Sequence, residues 1–155
     1  VTGNHEYYLK NWQNIQKDLK KYNIHWLDNE CVEHNGLNII GLNDNQNYEC
    51  KVKRLQTMMN SQGVHVVLVH KPCLWKKLSN KPDLMLSGHT HAGQIWPFHW
   101  LVKRQFSQYY GRYQEGEKTL VVSSGAGTWG PRIRLGSLNE ILVLELNKDT
   151  DKEEV

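Results

Sequence analysis

Residues Val64 to His70 read VHVVLVH, and residues Asp83 to His91 read DLMLSGHTH. The first is a run of β-branched and aliphatic residues of the kind that fills a strand buried on both faces. It ends on a histidine. The second is a shorter apolar strand that runs through Gly88 into two histidines one residue apart. Outward from this pair, residues 11–23 (NWQNIQKDLKKYN) place Trp12, Ile15, Leu19 and Tyr22 at helical spacing, and this predicts an amphipathic helix. Leu37 to Leu42 (LNIIGL) reads as a strand. Residues 50–62 read as a helix with Val52, Leu55 and Met59 on one face, stopped by Gly63. A short helix is expected from Cys73 to Ser79 after Pro72. Residues 119–124 (TLVVSS) and 140–146 (EILVLEL) read as two further strands. Alternating helices and strands predict an α/β sheet. The last two strands have no helix between them, so part of the sheet should be antiparallel. The stretch 92–116 shows no clear period.

Composition narrows the class. The chain has 155 residues, 39% apolar and 23% charged, enough for one domain with a core. Mean hydropathy is −0.66, and no apolar run approaches the ~20 residues that span a bilayer. The net charge of +3 admits anionic substrates but, without a basic stripe, makes a nucleic-acid partner a poor fit. Cys31, Cys50 and Cys73 are isolated and odd in number, which supports neither a zinc knuckle nor a disulfide framework and fits reduced thiols.

In open α/β sheets, ligand sites lie at the carboxyl ends of strands. His70, His89 and His91 therefore fall on one edge. An extended His89-Thr90-His91 would point its two imidazoles to opposite sides. Such a pair is better placed to serve two neighbouring ions than to chelate one, and ion pairs ~3.5–4 Å apart are a device of phosphoryl-transfer enzymes. At the start of the chain, Val1-Thr2-Gly3-Asn4-His5-Glu6 adds an amide ligand in Asn4, a tight turn at Gly3 and a proton donor in His5.

Gly3-Asn4-His5-Glu6, a strand ending at His70, and Gly88-His89-Thr90-His91 resemble, in order, the last three motifs of the calcineurin-like metallophosphoesterases: G-N-H-[DE], a strand-end H and G-H-x-H. The longer stretches GHTHAGQIWPF and GAGTWGPRIRLGSLNEILVLEL are similar to the bacterial branch of membrane-associated phosphodiesterases, which also has a transmembrane member in humans. The resemblance implies a four-layer α/β/β/α sandwich with mixed sheets, in which residues 1–147 are the C-terminal portion of the domain and 148–155 a charged tail. It implies two divalent ions (Mn, Fe or Zn). Asn4, His70 and His89 would bind the second ion and His91 the first. His5 would assist the leaving group, with Glu6 orienting His5. A hydroxide held between the ions would attack phosphorus in line, cleaving phosphate mono- or diesters or pyrophosphates, including lipid-linked ones.

The family's two upstream motifs, D-x-H and G-D-x-x-D, are not found in these 155 residues. The expectation is that they lie outside this sequence, that the first ion is poorly held without them, and that the piece alone is inactive and folds poorly. Two readings stand for Ile95 to Arg104 (IWPFHWLVKR): a loop packed on the core, or a lip facing a membrane surface, with Trp96 and the nearby Arg112 as substrate contacts. The expected location is the cytoplasm or the cytoplasmic membrane, any anchor lying outside the sequence. A non-catalytic metal- or membrane-binding module and a nuclease of the same superfamily are the alternative functions. The intact set of Asn4, His5, His70, His89 and His91 weighs against the first, and the modest charge against the second.

Overall fold

A computed structural model of the chain describes residues 1–147. The expected charged tail, 148–155, lies outside them. The described residues form an α/β fold around one mixed six-stranded sheet. Its strands are β1 (Glu30–His34), β2 (Leu37–Leu42), β3 (Val64–Val69), β4 (Leu84–Ser87), β5 (Gly111–Glu115) and β6 (Lys118–Val122). The order across the sheet is β1-β2-β3-β4-β6-β5. The four central strands, β2, β3, β4 and β6, are parallel, so their carboxyl ends share one edge. The antiparallel pairs are the two flanks, β1 with β2 and β5 with β6.

Alternation along the strands sorts the core into two faces. Ile40, Leu42, Val67, Val69, Met85, Leu120 and Val122 face one side. There they meet Leu55 of α2 (Tyr48–Met58), Leu74 and Trp75 from the 3₁₀ turn Pro72–Lys77, and Leu78 just after it. Val66, Leu84 and Val121 face the other side, with Leu37, Leu68 and Leu86 against them. VHVVLV therefore contributes to both faces, as its unbroken apolar run predicts. Asn47 caps α2 by accepting from Cys50 N–H at 2.9 Å. At the amino edge of the sheet, Asp83 accepts from His65 N–H at 2.7 Å and pairs with Lys118 Nζ at 2.7 Å, tying β3, β4 and β6 together.

Several expectations change. Residues 140–146 are not a strand, although the segment is rich in strand formers. Ile141 and Val143 are 85% and 83% exposed, and burial against a partner, not propensity, is what makes such a segment a strand. The antiparallel pairing instead involves β5, which lies in the stretch that shows no period. That stretch also holds α3 (His99–Gln105). β1 has a polar sequence, ECVEH, and takes its conformation from pairing with β2. The first helix, α1, is shorter than expected, Trp12–Lys20. It buries none of its residues fully, and Trp12 meets the ring of Trp26, edge to face at 4.9 Å.

Trp75 is fully buried, and its indole N–H donates to Glu115 at 2.7 Å. Trp75→Ala is expected to lower the unfolding free energy by about 3–5 kcal/mol. Ile141→Ser and Val143→Ser should each change it by less than about 0.5 kcal/mol. Denaturant titration of the three variants checks the contrast.

Candidate metal centre

The histidines sit where the parallel strands end. His70 follows β3, and Gly88-His89 follows β4. The Gly88 N–H donates to the His70 carbonyl at 3.0 Å, which extends the β3–β4 ladder past the strands. The ladder brings the two rings together, edge to face, with centroids 4.8 Å apart. Phe106 closes on the far side of His89 at 5.3 Å. The Gly3-Asn4 turn lies against His70. A Cβ at Gly3 would lie 2.9 Å from His70 Cε1, so only glycine lets this turn lie against the ring.

Two candidate ligand atoms approach a third. His70 Nε2 lies 2.8 Å from Asn4 Oδ1 and 2.9 Å from His89 Nδ1. One imidazole nitrogen carries at most one proton, so it cannot satisfy two such contacts at once. A divalent cation can satisfy all three atoms. For a ligand distance of about 2.1 Å, neighbouring ligands of an octahedral ion stand about 3.0 Å apart, close to the separations here. The donor set fits such an ion: two neutral imidazoles and an amide oxygen. Among the described residues, no three His, Cys, Asp or Glu side chains form a metal-binding group, which leaves this mixed set as the candidate.

Electrostatics keep the imidazoles in the ligating state. Burial lowers the pKa of His70. Burial, reinforced by His70 and Lys71, lowers that of His89 to about 4. Burial and then the Arg134 guanidinium lower that of His91. All three are neutral at pH 7, as metal ligation requires.

His89-Thr90-His91 is not extended. His89, His91, Ala92 and Gln94 have φ of 71°, 50°, 50° and 44°, all in the left-handed region, and residues His91–Gly93 form a 3₁₀ turn. Each such residue costs about 1–2 kcal/mol. The turn still separates the rings. His89 faces His70, whereas His91 Nδ1 faces Arg134 Nη2 at 3.3 Å. No hydrogen bond joins the His91 ring to the Asn4–His70–His89 group. Arg134 also donates to the carbonyls of His91, Ser124, Gly125 and Gly127, binding the loop after β6 to the histidine turn.

His5 is exposed at the rim, its ring edge on to Tyr8 at 5.8 Å. Glu6 does not reach it: its carboxylate accepts from Gly3 N–H at 2.7 Å and closes the turn that carries Asn4. Trp96 is exposed, and Arg112 lies exposed on β5 opposite Val121. No hydrogen bond draws either to the three ligand atoms. Phe106, which meets the His89 ring, also lines an open groove of about 370 Å³ together with Pro72, Cys73, Lys76, Lys77, Gln105, Ser107 and Gln108.

Beneath the ligands lies a set of charges absent from the expectations. Asp44, two residues past the end of β2, has a side chain 0% exposed. It pairs with Lys51 Nζ at 2.8 Å and Lys71 Nζ at 2.7 Å. Its backbone N–H donates to Thr2 at 3.2 Å. Asp44 thus ties α2, the residue after His70 and the N-terminal segment to one point. Its place after a strand on the same edge as His70 was a usable sequence signal. No pattern in RIRL marks Arg134 in the same way.

The chain was compared with known proteins. No family model and no solved structure matches it. It is 40% identical over 154 residues to an uncharacterized metallophosphoesterase of Campylobacter jejuni and 39% identical over 154 residues to one of Helicobacter pylori. Each alignment covers 94% of this chain and 41% of the relative. It is 32% identical to the bovine transmembrane protein with metallophosphoesterase domain, over 94% of this chain and 38% of that one. The chain thus spans about two fifths of the length of these relatives. No helix among the described residues is long and apolar enough to cross a membrane.

Two outcomes are expected. His70→Ala and His89→Ala should each weaken Mn²⁺ binding by on the order of 100-fold, since even indirect partners of a ligand are worth 10–100-fold. Electron paramagnetic resonance titration reads this. Asp44→Asn should cost about 3–5 kcal/mol at pH 7, because it leaves the buried Lys51 ammonium unpaired. Burial opposes ionisation of Asp44, but the hydrogen bonds and charges of Lys51 and Lys71 outweigh it and hold the carboxyl below its ordinary 3.8. The stabilisation is therefore complete above that value and is lost as the pH falls through the lowered one. Unfolding free energies of wild type and variant should converge only in strong acid.

Proposed function

The chain is a homologue of the metallophosphoesterases, and from that premise we propose that it forms the C-terminal portion (residues 1–147) of a phosphoester hydrolase that works with two divalent ions, of the Mn, Fe or Zn type. The approach of both Asn4 Oδ1 and His89 Nδ1 to His70 Nε2, each within 2.9 Å, carries this reading. These three residues hold one ion. His91 serves the other, whose remaining ligands come from residues beyond these 155, in the layers that complete an α/β/β/α sandwich. The ions, when bound, supply Lewis acidity toward the phosphoryl oxygens.

The chain's own groups do the rest. Gly3 and Glu6 set the turn that presents Asn4 to His70. The Asp44–Lys51–Lys71 cluster holds that turn's flank and the end of β3 in register. His5, at the rim, is free to give a proton to the leaving oxygen. Its freedom from Glu6 leaves the exposed ring able to move onto the ester. Lys76 and Lys77 line the groove beside His89 and offer cations to an anionic substrate. The substrate class is a phosphodiester or pyrophosphate, lipid-linked where the exposed aromatics flank the site, and the working location is the cytoplasmic membrane. The 155 residues alone hold an incomplete pair of ions and should not turn over.

Hydrolysis of bis-p-nitrophenyl phosphate with Mn²⁺ by the full-length protein tests this. The expected outcome is metal-dependent turnover. His89→Ala should lower kcat/KM by at least about 10³-fold, and His5→Ala should lower kcat by about 10²–10⁴-fold with little effect on Mn²⁺ affinity. Mn²⁺ binding without any hydrolysis would favour a non-catalytic module instead.

A further inference from the structure

The loop that follows β6 is drawn around one side chain. Arg134 Nη1 donates to the carbonyls of His91 at 3.1 Å and Leu138 at 3.3 Å, and to Ser137 Oγ at 3.2 Å. Its Nη2 donates to the carbonyls of Gly127 at 2.5 Å, Ser124 at 2.8 Å and Gly125 at 3.2 Å. Among the described residues no carboxylate pairs with it. A planar guanidinium ringed by carbonyl oxygens fixes backbone, because both arms of the fork are committed at set angles. Here it fixes the His91 turn to the 124–127 loop. His91 stands at φ 50°, a conformation that persists only where such bonds hold it.

The effect reaches the His91 ring. A guanidinium Nη carries two protons. The Gly127 and Ser124 carbonyls make the shortest contacts of Nη2 and take both, whereas His91 Nδ1, at 3.3 Å, makes the longest. Nδ1 is therefore left able to carry the ring's own proton. Burial and the Arg134 charge depress the His91 pKa, and hydrogen bonding to the Gly127 carbonyl opposes them. That carbonyl is the acceptor for the ring's proton, and a proton on Nδ1 leaves the Nε2 lone pair for an ion. Ligating histidines almost always give their other N–H to a carboxylate or a backbone carbonyl, which fixes tautomer and ring orientation. Nothing stands within 4 Å of the place a Gly127 Cβ would take. The carbonyl is thus held by its bond to Arg134, not by packing at that residue.

We propose that Arg134 is the positioning residue of His91: through the carbonyls of Gly127 and His91 it keeps the ring turned away from His89, so that the two histidines of one turn serve separate ions. The proposal rests on the two-ion reading above. Arg134 acts through His91 and makes no hydrogen bond to Asn4, His70 or His89.

Titration of the full-length protein with Mn²⁺, read by electron paramagnetic resonance, tests it. The wild type should bind two ions per chain and show a spin-coupled spectrum. Arg134→Lys keeps the charge but loses the fork, and Arg134→Gln loses both. Each should weaken the ion carried by His91 by about 10–100-fold, leave the other ion in place, and give the uncoupled spectrum of His91→Ala. Gln94→Leu is the control. It removes the bonds that hold Trp129, and so loosens the same loop without touching the His91 ring. It should keep both ions. Arg134→Lys is the milder change and remains informative where Arg134→Gln misfolds, as far-ultraviolet circular dichroism would show. Two ions of wild-type affinity in Arg134→Lys overturn the proposal. So does an equal loss in Gln94→Leu, which would make Arg134 one loop brace among several. A single ion in the wild type overturns the two-ion reading itself, and the proposal with it.

Discussion

The hydrogen bond from Gly88 N–H to the His70 carbonyl carries the pairing of β3 and β4 one step beyond the strands themselves. Everything at the candidate centre depends on that step. Parallel neighbours about 4.8 Å apart deliver their C-terminal residues side by side. A histidine after each therefore meets the other without either leaving the sheet. Ser123 N–H to the Ser87 carbonyl, 2.9 Å, repeats the step at β4 and β6 and brings the Gly125–Gly127 loop to the same edge. The candidate site is thus built on the central parallel strands of the sheet.

The cost of assembling such an edge is visible around it. Three imidazoles are held neutral by burial and by neighbouring cations, and four consecutive-region residues after β4 take left-handed backbone conformations. Strain of this kind persists only where surrounding bonds overdetermine it. Arg134 and Gln94 supply them: one binds carbonyls of the β6 loop and the His91 turn, the other locks the 129–136 loop. The Asp44–Lys51–Lys71 cluster fixes the approach from below. Three polar hubs, all nearly or partly buried, hold a site whose candidate ligands come from the start and the middle of the chain.

The molecule is organised unevenly about this edge. The face covered by α2 and the Pro72–Lys77 turn is a closed core with Trp75 at its centre. On the side of the aromatic loops and the 138–146 segment, large apolar residues stand in solvent. The same sheet therefore offers a finished scaffold and an unfinished surface. The ligand atoms lie where the two meet.

Much of this was legible without coordinates. VHVVLVH, LNIIGL and DLMLS mark three neighbouring central strands because a strand buried on both faces must be apolar throughout. Strand-end position then puts His70 and His89 on one edge. Gly3-Asn4-His5-Glu6 marked a tight turn, which Glu6 closes, and a candidate amide ligand in Asn4. Other features could not be read. ECVEH and GRYQE become strands only by pairing at the flanks, and EILVLEL, a better strand by composition, finds no partner among the described residues. The split of His89 from His91 follows from left-handed turns, not from strand alternation, because backbone conformation after a glycine is not set by residue type alone. Glu6 binds Gly3 N–H instead of His5, and Arg134 reaches His91 across 43 positions. Local sequence determined which residues could ligate and on which edge they would stand. The tertiary structure decided which atoms meet, because those contacts join segments far apart in the chain, and no local periodicity encodes a distance between them.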